Sequence, residues 1–170
     1  VRVHEMTGDI PQNVNFAIKA ALARGFLEAA ERVDLLALAK RVVAEFAPIA
    51  DDRHLDLGLL PSDAATVAGD PGELRTLLGN LVDNALRYTP AGGQVDVRIE
   101  RAGTEAVLTV SDTGPGIPAA ERERVFDRFY RGANAATPGS GLGLAIVQRI
   151  ADRHRGSIRL EDVEPGGGLR

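Results

Sequence analysis

A two-layer α/β sandwich is the fold class that the sequence predicts, with about five strands of mixed sense under three helices. Three observations carry that expectation. Segments with a two-residue apolar period are interleaved with segments of helical period from residue 34 onward. The strings QVDVRIER (94–101) and EAVLTVS (105–111) meet across Gly103-Thr104, the pattern of an antiparallel hairpin. A chain of 170 residues, 44% hydrophobic and 26% charged, is also large enough to bury one core.

The first thirty residues read as a turn and then one helix, with a candidate boundary near Ala30–Val33. Asp34 suits an N-cap, and Leu35, Leu38, Val42 and Phe46 recur at helical spacing until Pro48, near the helix end. HLDLGLL (54–60) alternates Leu55, Leu57 and Leu59 as a half-buried strand does, and ATVAG (65–69) reads as a second short strand. Asp70-Pro71 opens the strongest helix, with an acidic N-cap followed by Pro at the first helical position, where its missing N–H costs little. Leu74, Leu77, Leu78, Leu81, Val82, Ala85 and Leu86 form its apolar face, and Thr89-Pro90 stops it. In the hairpin that follows, Val95, Val97 and Ile99 point inward against outward charges. GSGLGLAIVQRIADRHRG (139–156) is a Gly-rich turn running into a helix that ends near Gly156. SIRLED (157–162) is a further strand, and EPGGGLR (164–170) a turn with the start of another.

Composition removes several function classes. A net charge of −4 argues against a nucleic-acid binder driven by bulk electrostatics. The absence of cysteine excludes disulfides, thiolate metal sites and thiol catalysis, and fits a reducing compartment. No apolar run approaches the length of a membrane span, and no signal-peptide pattern opens the chain.

Four stretches carry chemistry. In GNLVDNALRYTP (79–90), Asn80 and Asn84 are i and i+4 and share a helix face, which Arg87 and Tyr88 extend by a turn. Asn is a poor helix former, and two stacked carboxamides offer neutral oxygens to Mg²⁺ and NH₂ donors to phosphate. Alone, such a pair is more often structural. In DTGPGIP (112–118), Asp112 at a strand end can accept from an exocyclic amine, while Gly114 and Gly116 let a flat ring approach the backbone. The same run also reads as a surface loop. In ERERVFDRFYRG (121–132), Val125, Phe126 and Phe129 suggest a short amphipathic helix, with Arg128 and Arg131 within reach of an anion. Its Gly/Pro-bounded setting suits a hinged lid as well as a piece of core. In GSGLGLAIV (139–147), Gly139, Gly141 and Gly143 open a helix whose N-terminal N–H groups suit an anion, without the Gly-Lys-Ser/Thr of a Walker A loop.

In this order and spacing the four stretches resemble the N, G1, F and G2 boxes of sensor histidine kinases, over residues 33 to 170. The resemblance implies the Bergerat fold: a mixed sheet under three helices, with an ATP lid. It implies ATP and Mg as cofactors, with Asn84 on Mg²⁺ and Asn80 beside it as a second candidate ligand. By the same resemblance Arg87 contacts phosphate and Tyr88 packs near the nucleotide. Asp112 accepts from the adenine N6 amine, with Gly114, Gly116 and Ile117 shaping that pocket. Tyr130 and Arg131 belong to the lid, and Ser140, Gly141, Leu142, Gly143 and Leu144 line the phosphate end. It further implies a protein-histidine kinase domain acting in the cytoplasm, whose partners are a His-bearing dimerisation domain and a response regulator, with no nucleic acid or membrane contact of its own. A nucleotide-binding or regulatory module without turnover and an anti-sigma-type Ser kinase are the alternatives, and the string VFDRFYRG favours the histidine kinases.

Two departures qualify the resemblance. His4-Glu5-Met6 begins like a histidine box, but Thr7-Gly8-Asp9 does not continue it, so residues 1–32 hold no phospho-accepting hairpin. His54 in a strand and His154 in the last helix read as structural or exposed, so no residue is assigned a catalytic role. The segment TGDIPQNVNFAIKAALARGFLEA (7–29) instead resembles the end of a trypsin-like serine protease with its final helix. No Ser/His/Asp set accompanies it, and protease activity does not carry over. The last strand of the 33–170 domain is expected to be shortened, which would expose a sheet edge.

Overall fold

The computed structural model describes residues 2–3, 16–23, 31–131 and 140–162. The elements run β1 (Arg2–Val3), β2 (Phe16–Ala23), β3 (Arg32–Asp34), α1 (Leu35–Asp52), β4 (Asp56–Leu59), β5 (Thr66–Ala68), α2 (Pro71–Tyr88), β6 (Gln94–Ala102), β7 (Glu105–Asp112), α3 (Gly143–Arg153) and β8 (Ser157–Asp162).

The strongest expectation is met residue by residue. The Asp70 side chain accepts from the Glu73 N–H at 2.9 Å, Pro71 starts α2, and all seven expected apolar residues are buried. Side chains such as Leu77, Leu78 and Leu81 are fully buried, each worth roughly 1.5–3 kcal/mol relative to exposure. Helix α1 starts after Asp34, which accepts from the Ala37 N–H at 3.0 Å. It runs through Pro48, which lies near its end as expected, to Asp52. Pro48 removes one N–H, but the helix is closed beyond it by a paired C-terminal motif. Leu55 N–H donates to the Ala50 carbonyl at 2.9 Å and His54 N–H to the Asp51 carbonyl at 3.0 Å. His54, expected in a strand, is the exposed left-handed residue of that motif (φ 56°).

Helix α3 ends the same way. Gly156 N–H donates to Ala151 O at 2.8 Å and Arg155 N–H to Asp152 O at 3.0 Å, with Arg155 left-handed (φ 51°). His154 locks the ends of two helices together. Its Nε2 accepts from the Asp70 N–H at 3.1 Å, so the ring hydrogen sits on Nδ1, 2.8 Å from the Ile150 carbonyl.

The main sheet has the order β1-β4-β6-β7-β2-β8, and β3 pairs with β5 in a separate two-stranded ribbon. Pairing is parallel for β1–β4 and β4–β6 and antiparallel for β6–β7, β7–β2 and β2–β8, so the sheet is mixed as expected. The five strands from β4 to β8 are joined at one edge by the two-residue β1. One face carries Leu57, Leu59, Val95, Val97, Ile99, Leu108, Val110, Ala20 and Leu22 into the same core as the buried faces of the three helices. The opposite face carries Lys19, Arg98, Glu100 and Glu161, with Lys19 paired to Glu161 at 2.7 Å.

The N-terminal segment corrects an expectation. Residues 16–23 form a strand inside the main sheet where a helix after a turn was expected. Two neighbours offering open ladders outweigh the helical propensity of an Ala-rich string. Residues 7–15 and 24–30, and the expected shortened strand after Asp162, lie outside the described residues.

Candidate functional site

Helix α2 presents one polar face. Asn80 and Asn84 are half-buried on it, and the Asn80 Nδ2 donates to the Thr76 carbonyl at 2.8 Å, which leaves Oδ1 as its outward group. The first residue of α3 meets both carboxamides: a Cβ on Gly143 would stand 3.3 Å from Asn80 Oδ1 and 3.3 Å from Asn84 Nδ2. One turn on, Arg87 is oriented by Asp83 at 2.6 Å, and Tyr88 is 47% exposed at the helix end.

Asp112 closes β7 and is 8% exposed. Its Oδ1 accepts from the Gly114 N–H at 2.8 Å. Burial pushes its carboxyl up from 3.8 to about 6, and the Gly114 N–H pulls the other way. Thr113 fixes the next residue to β6, donating its N–H to the Gln94 carbonyl at 3.1 Å and accepting the Gln94 N–H on Oγ1 at 2.9 Å. The loop then passes the end of α2, where a Cβ on Gly114 would lie 3.1 Å from the Tyr88 carbonyl oxygen. Gly116 has φ 72°, and Ile117 packs against the core. The structure therefore brings Tyr88 to the Asp112 loop, and Asn80 and Asn84 to the start of α3.

The stretch after Pro118 differs from its expectation. In place of a short amphipathic helix, a 3-10 turn at Ala119–Glu121 is followed by irregular turns to Arg131. Phe129 is left-handed (φ 64°) and 71% exposed, and its N–H donates to the Gly141 carbonyl at 2.9 Å. That anchor, made to a residue beyond residues 132–139, bends the chain out of helical geometry. The Arg124 guanidinium stacks over the Tyr130 ring at 4.5 Å, and Arg131 is exposed. Gly139 lies outside the described residues.

Gly141 adopts φ 68°, and the N-cap residue of α3, Leu142, makes no side-chain cap hydrogen bond to the first N–H groups of the helix. Ser140 is exposed, and Leu144 packs on the core. The arrangement offers a buried acceptor at Asp112, amide oxygens on α2 and helix N–H groups on α3. Such a set suits a ligand with an amine-bearing ring at one end and anionic groups at the other.

Sequence reasoning missed one contributor. Arg122 donates from Nε to the Ile117 carbonyl at 3.0 Å and forms an ion pair with Asp162 at the end of β8. It sits in the charged run Glu121-Arg122-Glu123-Arg124, where no periodicity distinguishes it.

Comparison with known proteins agrees with this geometry. The family model described as "Histidine kinase-, DNA gyrase B-, and HSP90-like ATPase" matches residues 69–170. The sensor protein kinase PmrB of Pseudomonas aeruginosa is 46% identical over 144 residues, 84% of this chain and 30% of that protein. The chain thus spans about a third of the length of that curated relative. The solved structure titled "Mycobacterial sensor histidine kinase MprB" superposes with a TM-score of 0.67 at 30% identity, covering 81% of this chain and 99% of that one. A full-length structure of ShkA in complex with AMPPNP has a TM-score of 0.63 at 32% identity, over 74% of this chain and 27% of that one.

Proposed function

The chain belongs to the histidine kinase-, DNA gyrase B- and HSP90-like ATPase family, in its sensor histidine kinase branch. On that footing we propose that it donates the γ-phosphate of ATP to a histidine on a separate dimerisation hairpin. The observation that carries this reading is the meeting of Asn80 and Asn84 with the uncapped start of α3, alongside the buried carboxylate of Asp112. ShkA, described as bound to AMPPNP, lends the nucleotide its chemical class.

The residues fit the group. With Asp112 Oδ1 engaged by Gly114, Oδ2 is the oxygen that receives the adenine N6 amine. Gly114, Gly116 and Ile117 shape the ring pocket, with Tyr88 at its rim. Asn84, with Asn80 beside it, would supply amide oxygen to Mg²⁺. An ion held there would supply charge neutralisation for the phosphates. Arg87 adds a positive charge to that end, and the N–H groups at Gly143 and Leu144 orient the phosphates. Tyr130 and Arg131 form the lid beside the nucleotide, and Ser140, Gly141 and Leu142 line its phosphate end. The protein's contribution is thus positioning and fixed electrostatics, which is what phosphoryl transfer requires.

The partners in this reading are a His-bearing hairpin and a response regulator, and the setting is the cytoplasm, where ATP is plentiful. Among the described residues no helix is long and apolar enough to cross a membrane. Incubation with γ-labelled ATP and the His-bearing hairpin of a PmrB-type kinase tests the proposal. The expected result is acid-labile, base-stable label on the hairpin. ATP binding without label transfer would instead make the chain a nucleotide-binding module without turnover.

A further inference from the structure

The N-terminal strand lies outside the residues that the family model matches, yet it sits inside the sheet between β7 and β8. Among the described residues β8 has one sheet partner, β2, and β7 receives β2 on the edge opposite β6. β2 runs antiparallel to both, in register from Phe16↔Asp112 to Ala23↔Glu105 on one side and from Phe16↔Asp162 to Ala21↔Ser157 on the other. β7 ends in Asp112, and β8 follows directly on α3. Within the sheet these two parts of the site are therefore joined through residues 16–23. Phe16 is the register partner of Asp112 and of Asp162, and Asp162 in turn holds Arg122 and, through it, the Ile117 carbonyl.

The seat is shaped for this strand. Ala20 and Leu22 enter the core, while Lys19 pairs with Glu161 on the other face. A Cβ on Gly156 would strike the Ala21 carbonyl oxygen and lie 3.0 Å from Leu22 Cδ2. Gly156 is not the left-handed residue that closes α3, since Arg155 takes that position. Its missing side chain serves the passage of β2.

We infer that residues 16–23 are a working part of the nucleotide site: a strand that occupies the cleft between β7 and β8 and positions Asp112 relative to the start of α3. The inference rests on the nucleotide-binding reading above. β2 acts through its neighbours and touches no nucleotide itself.

The test uses the full chain. Ala20→Pro removes an N–H from the middle of β2, and Gly156→Val fills the space beside Ala21 from the β8 side. Each variant is expected to bind Mg·ATP about tenfold more weakly or worse. In each, amides of residues 157–162 should exchange faster while those of α2 stay protected. A third variant keeps the inference falsifiable if those two unfold. Ala21 and Val107 are register partners in a chain without cysteine, so Ala21→Cys with Val107→Cys is expected to oxidise to one disulfide within the chain and to retain the parent's affinity. Unchanged ATP affinity in both Ala20→Pro and Gly156→Val would overturn the inference, as would a missing link or one formed between chains. A parent chain that binds no ATP would refute the nucleotide reading instead.

Discussion

Asp112→Asn is expected to make the chain more stable at pH 8 and to weaken its binding of ATP. The carboxyl of Asp112 is buried and pushed up to about 6 from its ordinary 3.8. Between those two values the folded chain keeps a proton that the unfolded chain has released, so stability falls as pH rises from about 4 to about 6 and stays lower above that. A shift of this size corresponds to about 3 kcal/mol at most. Asn keeps an oxygen for the Gly114 N–H and carries no charge, so the variant should gain about 1–3 kcal/mol at pH 8, with the gap closing below about pH 4. Binding moves the other way. An NH₂ group replaces the accepting Oδ2 and faces the adenine amine donor to donor, which costs roughly ten- to a hundredfold in affinity. In the parent, ATP affinity should rise through about pH 6 as Asp112 ionises. Urea unfolding at both pH values, paired with ATP titration, checks both halves. A variant no more stable than the parent at pH 8 would show that burial of Asp112 has no energetic cost.

Gly141→Ala is expected to weaken ATP binding by about tenfold or more while leaving the core folded. Gly141 has φ 68°, where an L-residue costs about 1 kcal/mol. Its added Cβ would also lie 2.8 Å from Phe129 C and from the Tyr130 carbonyl oxygen, both backbone atoms that cannot rotate away. The hydrogen bond from the Phe129 N–H to the Gly141 carbonyl must then open. Gly92 is the internal control. It has φ 81° with nothing within 4 Å of a Cβ, so Gly92→Ala carries the backbone cost without the clash. Gly92→Ala should bind ATP like the parent. Equal losses in the two variants would mean that backbone strain alone, and not the Phe129–Gly141 contact, sets the effect.

What could be read from the sequence follows from how local its causes are. The cap at Asp70, Pro71 and the seven apolar residues of α2 lie within one helix, and nothing distant contradicts them. The hairpin at 94–112 is equally local. Strand β2 is not: FAIKAALA is rich in helix formers, and its conformation is decided by two ladders to strands much later in the chain. The stretch after Pro118 shows the same physics in reverse. Val125, Phe126 and Phe129 have helical spacing, but the anchor from Phe129 to Gly141 takes the chain out of it. Asn80, Asn84, Asp112 and Gly143 stand out only together, as parts of four motifs in a fixed order, since each alone reads equally as a helix face or a turn. Arg122 and Gly156 do not stand out, because an Arg in a charged run and a Gly after a helix each have an ordinary use, and only the fold reveals the Ile117 carbonyl and the Ala21 carbonyl they meet.

Calorimetric titration of ATP into the full chain and into Asn84→Ala, each with Mg²⁺ and with a chelator, bears on the whole site at once. The parent should bind one nucleotide per chain and lose about tenfold or more in affinity when Mg²⁺ is withdrawn, whereas Asn84→Ala should bind weakly and show little response to Mg²⁺. No binding by the parent, or a variant that matches the parent in both affinity and Mg²⁺ dependence, would contradict the assignment of this site to Mg·ATP.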